Sequence, residues 1–558
     1  MDVATPLRRP ARGIERDAAA GPMLPAVPHV IAWNLTRRCN LACAHCYIAA
    51  GGWHTSAGEL TTAECLRIAD EILETNRVAM AAAAGAPGEP SAAPGGSRAW
   101  AWNATGTETR PAPMFILSGG EPLLREDLEE IAAHAVSRGA TVVVGTNGTR
   151  LTAERIASLE AAGVTGVAIS VDSLDGRYHD RFRHGDGALA DTLAAVERLR
   201  EQRLDFVIQT TVTRGNKDEL PALAAWAAER GAVSFNVYFL VATGRGAAMP
   251  GLTPPENEEV LSTLVRLQRE YRGRMMVRSK CQPQIMRHVY ESDPDSPLLD
   301  YATRCPCGVQ YCRITPEGKV TPCPYTPVVA GDLRRESFSD VWMRSPVFRR
   351  LRGQAATATN GATGTDAPGG RDGRRADAAD RGSARPDPQA FPADAEEARA
   401  RIAATVPELG GKCGRCEYRR ICGGCRARAY ATTGDLLGAD ESCAYEPDGT
   451  VPVIDAARPV AYGMPAAPKM RWSPEARRRL ERVPGFVRGV VTARIEAYAN
   501  EHGHAEITPA LMDEVRRALP VEFSKRLPFF LRGTRTGSAA EPPDPEVRTN
   551  PELTPYGP

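Results

Sequence analysis

His29-Val30-Ile31-Ala32-Trp33-Asn34-Leu35, followed after Thr36-Arg37-Arg38 by Cys39-Asn40-Leu41-Ala42-Cys43-Ala44-His45-Cys46-Tyr47, is the stretch from which the rest of the chain is read. The apolar run predicts a short buried strand, and the cysteine loop then lies at its carboxyl end, where parallel α/β sheets place their ligands. Three thiolates spaced CxxxCxxC can bind three corners of a [4Fe-4S] cube. No fourth cysteine follows within the loop, so one iron keeps an open position. Zinc, or three thiols buried as small hydrophobes, also fits this spacing taken alone.

Outward from the loop, Glu59-Leu60-Thr61-Thr62-Ala63-Glu64 reads as a helix start with Thr61 as N-cap and Glu64 at capping-box spacing. That helix runs to about Ala83, and its Cys65, standing alone, is expected in the core. Residues 84–111, rich in Ala, Gly, Pro and Ser, read as a surface insertion. Met114-Phe115-Ile116-Leu117 is a second buried strand and ends in Ser118-Gly119-Gly120-Glu121-Pro122, whose glycines let backbone approach a ligand and whose amides can bond its polar ends. Further strands are expected at Thr141–Gly145, Gly166–Ser170, Phe206–Val212 and Val233–Leu240, separated by amphipathic spacers such as Leu189–Leu199 and Glu219–Ala228. Strand plus helix repeated about six times, with polar residues at the strand ends, implies a parallel sheet with its site along the carboxyl edge.

CxxxCxxC followed by the aromatic Tyr47, with Gly119-Gly120-Glu121-Pro122 in second place, resembles the radical S-adenosylmethionine (SAM) superfamily. The resemblance implies a partial (β/α)6 barrel, a cluster on Cys39, Cys43 and Cys46, and SAM chelated at the open iron. In that family the cluster's electron splits the sulfonium to a 5'-deoxyadenosyl radical. Gly119, Gly120, Glu121 and Pro122 would line the SAM amino group. Asn147, Ser170 and Asp172 are candidates for ribose or carboxylate contacts, although each also suits a helix cap.

Residues 253–304 read as a helical connector containing Arg278-Ser279-Lys280-Cys281-Gln282-Pro283-Gln284, with Cys281 structural. Beyond it, Ile314–Cys323 reads as a hairpin turning at Glu317-Gly318. Cys305, Cys307, Cys312 and Cys323, then Cys413-Gly414-Arg415-Cys416, Cys422-Gly423-Gly424-Cys425 and Cys443, resemble the SPASM module at 305–447, which carries auxiliary iron-sulfur clusters. Paired CxxC motifs alone also suit zinc. The resemblance places one auxiliary cluster on Cys413, Cys416, Cys422 and Cys443. A second would use Cys312, Cys323, Cys425 and either Cys305 or Cys307. Residues 353–400, dominated by Ala, Gly, Asp, Arg and Thr, are expected to be disordered, as are 1–27 and 523–558. After a linker at 448–471, residues 472–522 should form a small helical domain, with Ser473 capping, Pro474 at N1, a helix through Gly485–Ala499 and another from Thr508-Pro509. Pro484-Gly485-Phe486-Val487-Arg488 and Ile507-Thr508-Pro509 resemble the B subunit of light-independent protochlorophyllide reductase.

The chain's 558 residues carry a net charge of +1, so its electrostatics favour neither nucleic acid nor an anionic membrane as partner. Fourteen cysteines, mostly clustered, read as metal thiolates in a reducing cytoplasm. No apolar run approaches the ~20 residues of a membrane span, and no signal-peptide pattern is present. Several stretches resemble the enzymes that modify porphyrin side chains, heme b synthase and the heme d1 maturase: Gly58–Thr62, Asp218–Pro221, Val241-Ala242-Thr243-Gly244-Arg245-Gly246 and Gly410–Asp435. Those relatives abstract hydrogen from a propionate β-carbon, and loss of carbon dioxide or of the side chain follows. Gln284 stands where their Cys-x-Pro-His segment has histidine, and a neutral amide is no proton shuttle. The expectation is an oxidoreductase or lyase acting on a tetrapyrrole, reduced by flavodoxin or ferredoxin. The alternatives are a maturase of ribosomal peptides and a non-catalytic electron carrier.

Overall fold

The computed structural model describes residues 27–83, 113–272, 274–292, 304–353, 409–451, 453–454, 470–481 and 485–518. The readings for 84–111, 353–400 and the two tails fall almost wholly outside these residues, as does most of the linker.

Runs of β-branched and aromatic residues form β1 (Val30–Asn34), β2 (Met114–Ser118), β3 (Thr141–Thr146), β4 (Gly166–Ser170), β5 (Phe206–Val212) and β6 (Ser234–Phe239), all parallel and in sequence order. Helices α1 (Thr62–Ala83), α2 (Leu128–Ser137), α3 (Ala153–Ala161), α4 (Gly176–Arg183), α5 (Ala188–Glu201) and α6 (Leu220–Glu229) connect them. The Thr61 capping box forms as expected: Glu64 N donates to Thr61 Oγ1 at 3.3 Å and Thr61 N to Glu64 Oε2 at 2.7 Å. Cys65 is fully buried in the core.

The connector is not wholly helical. Between α7 (Pro254–Glu270) and α8 (Ile285–Ser292) runs a seventh parallel strand, β7 (Met276–Lys280), paired with β6. Met-Val-Arg-Ser-Lys carries one buried apolar residue, so no apolar run announces it. The cysteine-rich segment also joins the sheet. β8 (Tyr311–Ile314) lies parallel beside β1, and β9 (Lys319–Thr321) and β10 (Gly331–Asp332) continue antiparallel, giving the order β10-β9-β8-β1-β2-β3-β4-β5-β6-β7. The expected hairpin is β8–β9, turned where Gly318 N donates to Thr315 O at 2.9 Å. Helices α9 (Phe338–Arg344), α10 (Pro346–Leu351), α11 (Gly411–Arg415) and α12 (Arg426–Thr433) complete this part.

Strand alternation gives the sheet two different faces. Ile31, Trp33, Phe115, Leu117, Val144, Ile169, Ile208, Phe235 and Val237 pack against helix residues such as Ile68, Ile131 and Leu264 in the main core. Each such side chain contributes roughly 1.5 to 3 kcal/mol on burial. The other face holds a small apolar floor, Val143, Ala168 and Val207. Towards the strand ends the same parity brings Asn34, Ser118, Ser170, Asn236 and Tyr238. The sheet curls about this face: Val241, just past β6, packs in one cluster with Tyr311 of β8 although β1 to β5 lie between those strands.

A separate small core forms near the carboxyl terminus from Trp472, Ala476, Leu480, Ile495, Ala499, Ile507 and Leu511. Its helices are α13 (Pro474–Glu481), α14 (Gly485–Glu501) and α15 (Pro509–Ala518), with Ser473 Oγ accepting from Ala476 N at 3.1 Å. The short parallel pair β11 (Arg471–Trp472) and β12 (Glu506–Ile507) ties its ends together.

Candidate cluster and cofactor site

The cysteine loop leaves β1 and is fastened from several directions. Cys39 N donates to Gly51 O, Ala44 N to Phe182 O and Ala42 N to Arg183 O, so the end of α4 holds the loop's centre. Arg245 donates from Nε to Cys43 O and from Nη1 to Ala50 O, each at 2.8 Å, and its backbone N to Cys46 O at 3.0 Å. Gly244 adopts φ +57, and a Cβ there would meet Cys46 O at 2.4 Å, so this turn packs directly on the loop. At the loop's start, Glu59 Oε1 accepts from Thr36 Oγ1 and Arg37 N.

The three sulfurs fit a cluster. Cys39 Sγ accepts from Leu41 N at 3.4 Å and Cys46 Sγ from Ala50 N at 3.3 Å, amide bonds that favour thiolates. Burial pushes the Cys39 thiol up to about 12 and raises Cys43, so ligation must displace protons. Cys39, Cys43 and Cys46 pack in one group, and a cube gives each thiolate its own iron.

The Gly119-Gly120 backbone braces this loop. Gly120 N, an amide expected to face a ligand, donates to Thr36 O at 2.7 Å, and Glu121 N donates to Arg38 O at 2.8 Å, so both are bound to the segment that carries the cysteine loop. A Cβ on Gly120 would sit 2.2 Å from Arg38 O, and one on Gly119 2.6 Å from Thr36 O. Glu121 is fully buried, which raises its carboxyl pKa. It accepts from Thr146 Oγ1 at 2.6 Å and Asn147 N at 2.9 Å, locking the β3 end to the β2 end. Pro122 opens a short 3-10 turn there. Asn147 Nδ2 lies 4.0 Å from Cys39 Sγ and donates to Asn40 at 3.0 Å, beside the cluster position. Ser170 is half-buried at the end of β4.

Asp172 differs from expectation. It is fully buried, accepting from Arg183 Nε at 2.9 Å and Nη2 at 2.7 Å through one oxygen and from Thr211 N at 2.7 Å through the other. Burial opposes its charge, but Arg183 holds its pKa below the usual value. One oxygen thus positions Arg183, which the sequence reading did not single out, and the other holds the backbone of β5. Tyr47, the aromatic residue after the loop's third cysteine and a candidate for cofactor contact, packs with the loop's cysteines. Its hydroxyl accepts from Asn34 Nδ2 at 2.7 Å, and its ring lies 5.3 Å from that of Tyr325 and under Arg313.

The later cysteines form two groups. Cys305, Cys307, Cys323 and Cys425 come together, with Cys305 and Cys307 Sγ 3.2 Å apart. Cys305 is held low by the bond from Cys307, whose own ionisation is raised in turn. Both candidates for one ligand position are therefore present, and Cys281, at φ +60, packs against the same group. Cys312 is not there. Strand parity turns it to the opposite face of β8 from Tyr311 and Arg313, fully buried in the main core, which corrects its assignment to this set. Cys413, Cys416, Cys422 and Cys443 line one pocket together with Gln284, Lys412 and Tyr445. Gln284 thus faces the second cysteine group and donates to Asp440 Oδ2 at 2.8 Å. Asp440 joins the two groups, since its N donates to Cys413 Sγ at 3.4 Å while Oδ2 accepts from Cys425 N at 2.7 Å.

A curled parallel sheet with an open-cornered thiolate loop at its strand ends is the framework of the radical SAM superfamily, and residues 105–227 match that family. Residues 305–363 match the SPASM iron-sulfur cluster-binding domain, and 472–516 the proto-chlorophyllide reductase 57 kD subunit. The chain is 33% identical over 429 residues to the AdoMet-dependent heme synthase of Methanosarcina barkeri, spanning 75% of this chain and 97% of that one. It is 29% identical to the Fe-coproporphyrin III synthase of the same organism over 39% of this chain and 46% of the relative. It is also 29% identical to the mycofactocin maturase MftC of Mycolicibacterium smegmatis, over 58% and 72%. Within the superfamily the chain belongs to the family of the AdoMet-dependent heme synthases. Its cofactors are a SAM-binding [4Fe-4S] cluster, SAM and auxiliary iron-sulfur clusters. Among the described residues no helix is long and apolar enough to cross a membrane.

Proposed function

We propose that the protein abstracts hydrogen from a propionate side chain of an iron porphyrin, with loss of carbon dioxide, in a heme-forming reaction. The observation that carries this is the match across 97% of an AdoMet-dependent heme synthase, joined to a cysteine loop braced as a single unit. Cys39, Cys43 and Cys46 hold the SAM cluster, which when bound supplies the electron that splits the sulfonium. The Gly119–Pro122 turn, Asn147 and Ser170 border the SAM site, while Asp172 acts through Arg183. Arg183 and Arg245 fix the loop's backbone, so the open corner keeps one orientation and the reacting carbon one position. Cys305, Cys307, Cys323 and Cys425 form one auxiliary site and Cys413, Cys416, Cys422 and Cys443 the other. Tyr47, Tyr238 and Tyr311, each half-buried, would border the substrate on the inner face of the sheet. The setting is the reducing cytoplasm, with flavodoxin or ferredoxin as electron donor.

Anaerobic incubation with SAM, reductant and iron coproporphyrin III should yield 5'-deoxyadenosine and a porphyrin lighter by carboxyl-derived mass. Cleavage of SAM with every candidate porphyrin unchanged would overturn the reading. A second reading, peptide maturation, is favoured by the match to the mycofactocin maturase. It predicts a mass change in a precursor peptide.

A further inference from the structure

β7 ends beside both thiolate systems. Its register sets Arg278 opposite Asn236 and Lys280 opposite Tyr238 on β6. Val277, like Phe235, Val237 and Phe239, is buried in the main core, so alternation turns Arg278 and Lys280 to the inner face with Tyr238. Both cations are half-buried there. The other basic side chains of this region are engaged: Arg313 donates to Asn34 at 2.6 Å, and Arg428 donates to Ser442 at 2.8 Å and pairs with Asp440. Among the described residues no carboxylate pairs with Arg278 or Lys280. Two neighbouring cations withdrawn from water without a counter-charge are costly unless a ligand supplies it.

The surroundings define that ligand's shape. Lys280 lies opposite Tyr238 in the register, the rings of Tyr47 and Tyr325 are 5.3 Å apart, and Tyr325 and Tyr311 pack with the Cys305 group. Tyr47 belongs to the SAM-cluster loop, and Cys281 follows Lys280 directly and packs against the Cys305 group. The cations therefore lie between the two metal-binding regions, among flat aromatic rings that suit a planar ligand. Arg offers a carboxylate a two-pronged donor and Lys a point charge.

We propose that Arg278 and Lys280 bind carboxylate groups of the porphyrin and make the protein select the free acid. The inference rests on the porphyrin reading above and adds the residues that recognise the side chains. The test is a visible-absorption titration of anaerobic, cluster-loaded protein with iron coproporphyrin III, a tetra-acid, and with its tetramethyl ester. Wild type should prefer the acid. Arg278→Gln and Lys280→Met should each weaken acid binding about ten- to a hundredfold, leave ester binding unchanged, and keep iron content and substrate-free SAM cleavage. Arg278→Lys and Lys280→Arg should restore most of the affinity. Equal binding of acid and ester by wild type overturns the inference without any variant and leaves the porphyrin reading standing. Unchanged acid affinity in the variants, with an altered electron paramagnetic resonance signal of the auxiliary clusters, also overturns it, because the cations then serve the clusters. Binding of neither porphyrin overturns the functional reading itself.

Discussion

Replacing Gly120 by alanine tests whether the Gly119-Gly120 turn is a mechanical brace for the cluster loop. The added Cβ would lie 2.2 Å from Arg38 O, 2.7 Å from Arg38 C and 2.9 Å from Arg37 O, all backbone atoms with no rotamer to yield. An ordinary contact needs about 1 Å more, so the strand end or the loop must move by that amount. Overpacking of this kind costs about 1 to 3 kcal/mol. The movement falls on Arg38, whose neighbour is the ligand Cys39, and a misplacement of about 1 Å near reacting atoms lowers rates about a hundredfold. The assay compares thermal unfolding, iron and sulfide content, and 5'-deoxyadenosine formation in Gly120→Ala and in Gly251→Ala, a control with no atom within 4 Å of its new methyl. Full iron content and SAM cleavage within twofold of wild type in Gly120→Ala would refute the brace.

Cys39→Ala, Cys43→Ala and Cys46→Ala should each abolish 5'-deoxyadenosine formation, whereas Cys413→Ala should retain some cleavage and lose product, as read by chromatography and mass spectrometry. Arg245→Met removes side-chain bonds to Cys43 O and Ala50 O, and should lower cluster retention during gel filtration while leaving secondary structure by circular dichroism intact. Asp440→Asn removes the charged acceptor of Cys425 N and Gln284 Nε2 but keeps the backbone bond to Cys413 Sγ, so it should weaken the Cys305 group first, costing about 1.5 to 3 kcal/mol for the charged bonds. Iron loss confined to the Cys413 group, by Mössbauer spectroscopy, would count against this role. Burial, and then the charge of Arg278, lowers Lys280 to about 7, while Cys281 acts in the opposite direction. At pH 8 Lys280 is mostly neutral, and a bound carboxylate raises its pKa. Porphyrin acid binding should therefore take up as much as about one proton, affinity should fall as pH rises above 7, and Lys280→Met should remove both effects. Calorimetry in buffers of different ionisation enthalpy measures the uptake.

The strands that sequence made legible were those with apolar runs: the reading from His29 to Leu240 places β1 to β6 within a residue or two of their observed ends. β7 escaped because its inner positions are Arg278 and Lys280, the pattern of a strand that faces a ligand rather than a core. Thiolate spacing pointed to the right loop, but which cysteines share a site depends on strand parity, and only the fold shows Cys312 turned from Cys307 and Cys323. Arg183 acts on loop backbone across a long sequence separation with no local motif to mark it, whereas Glu59 and Arg245 lie in stretches whose resemblance pointed to them without saying what they hold. Asp172 had the correct address at a strand end. Its partner, eleven residues on, decided its role.

Because β8 lies on one side of β1 and β2 on the other, the strand that launches the cysteine loop is an interior strand only while the auxiliary-cluster segment is present. Cutting the chain ahead of Cys305 would leave β1 with a bare row of amides and carbonyls, open to pairing with another molecule. A shortened protein that kept the SAM half alone would thus lose the flank that covers this edge, and the two halves are better regarded as one inheritance than as a detachable pair.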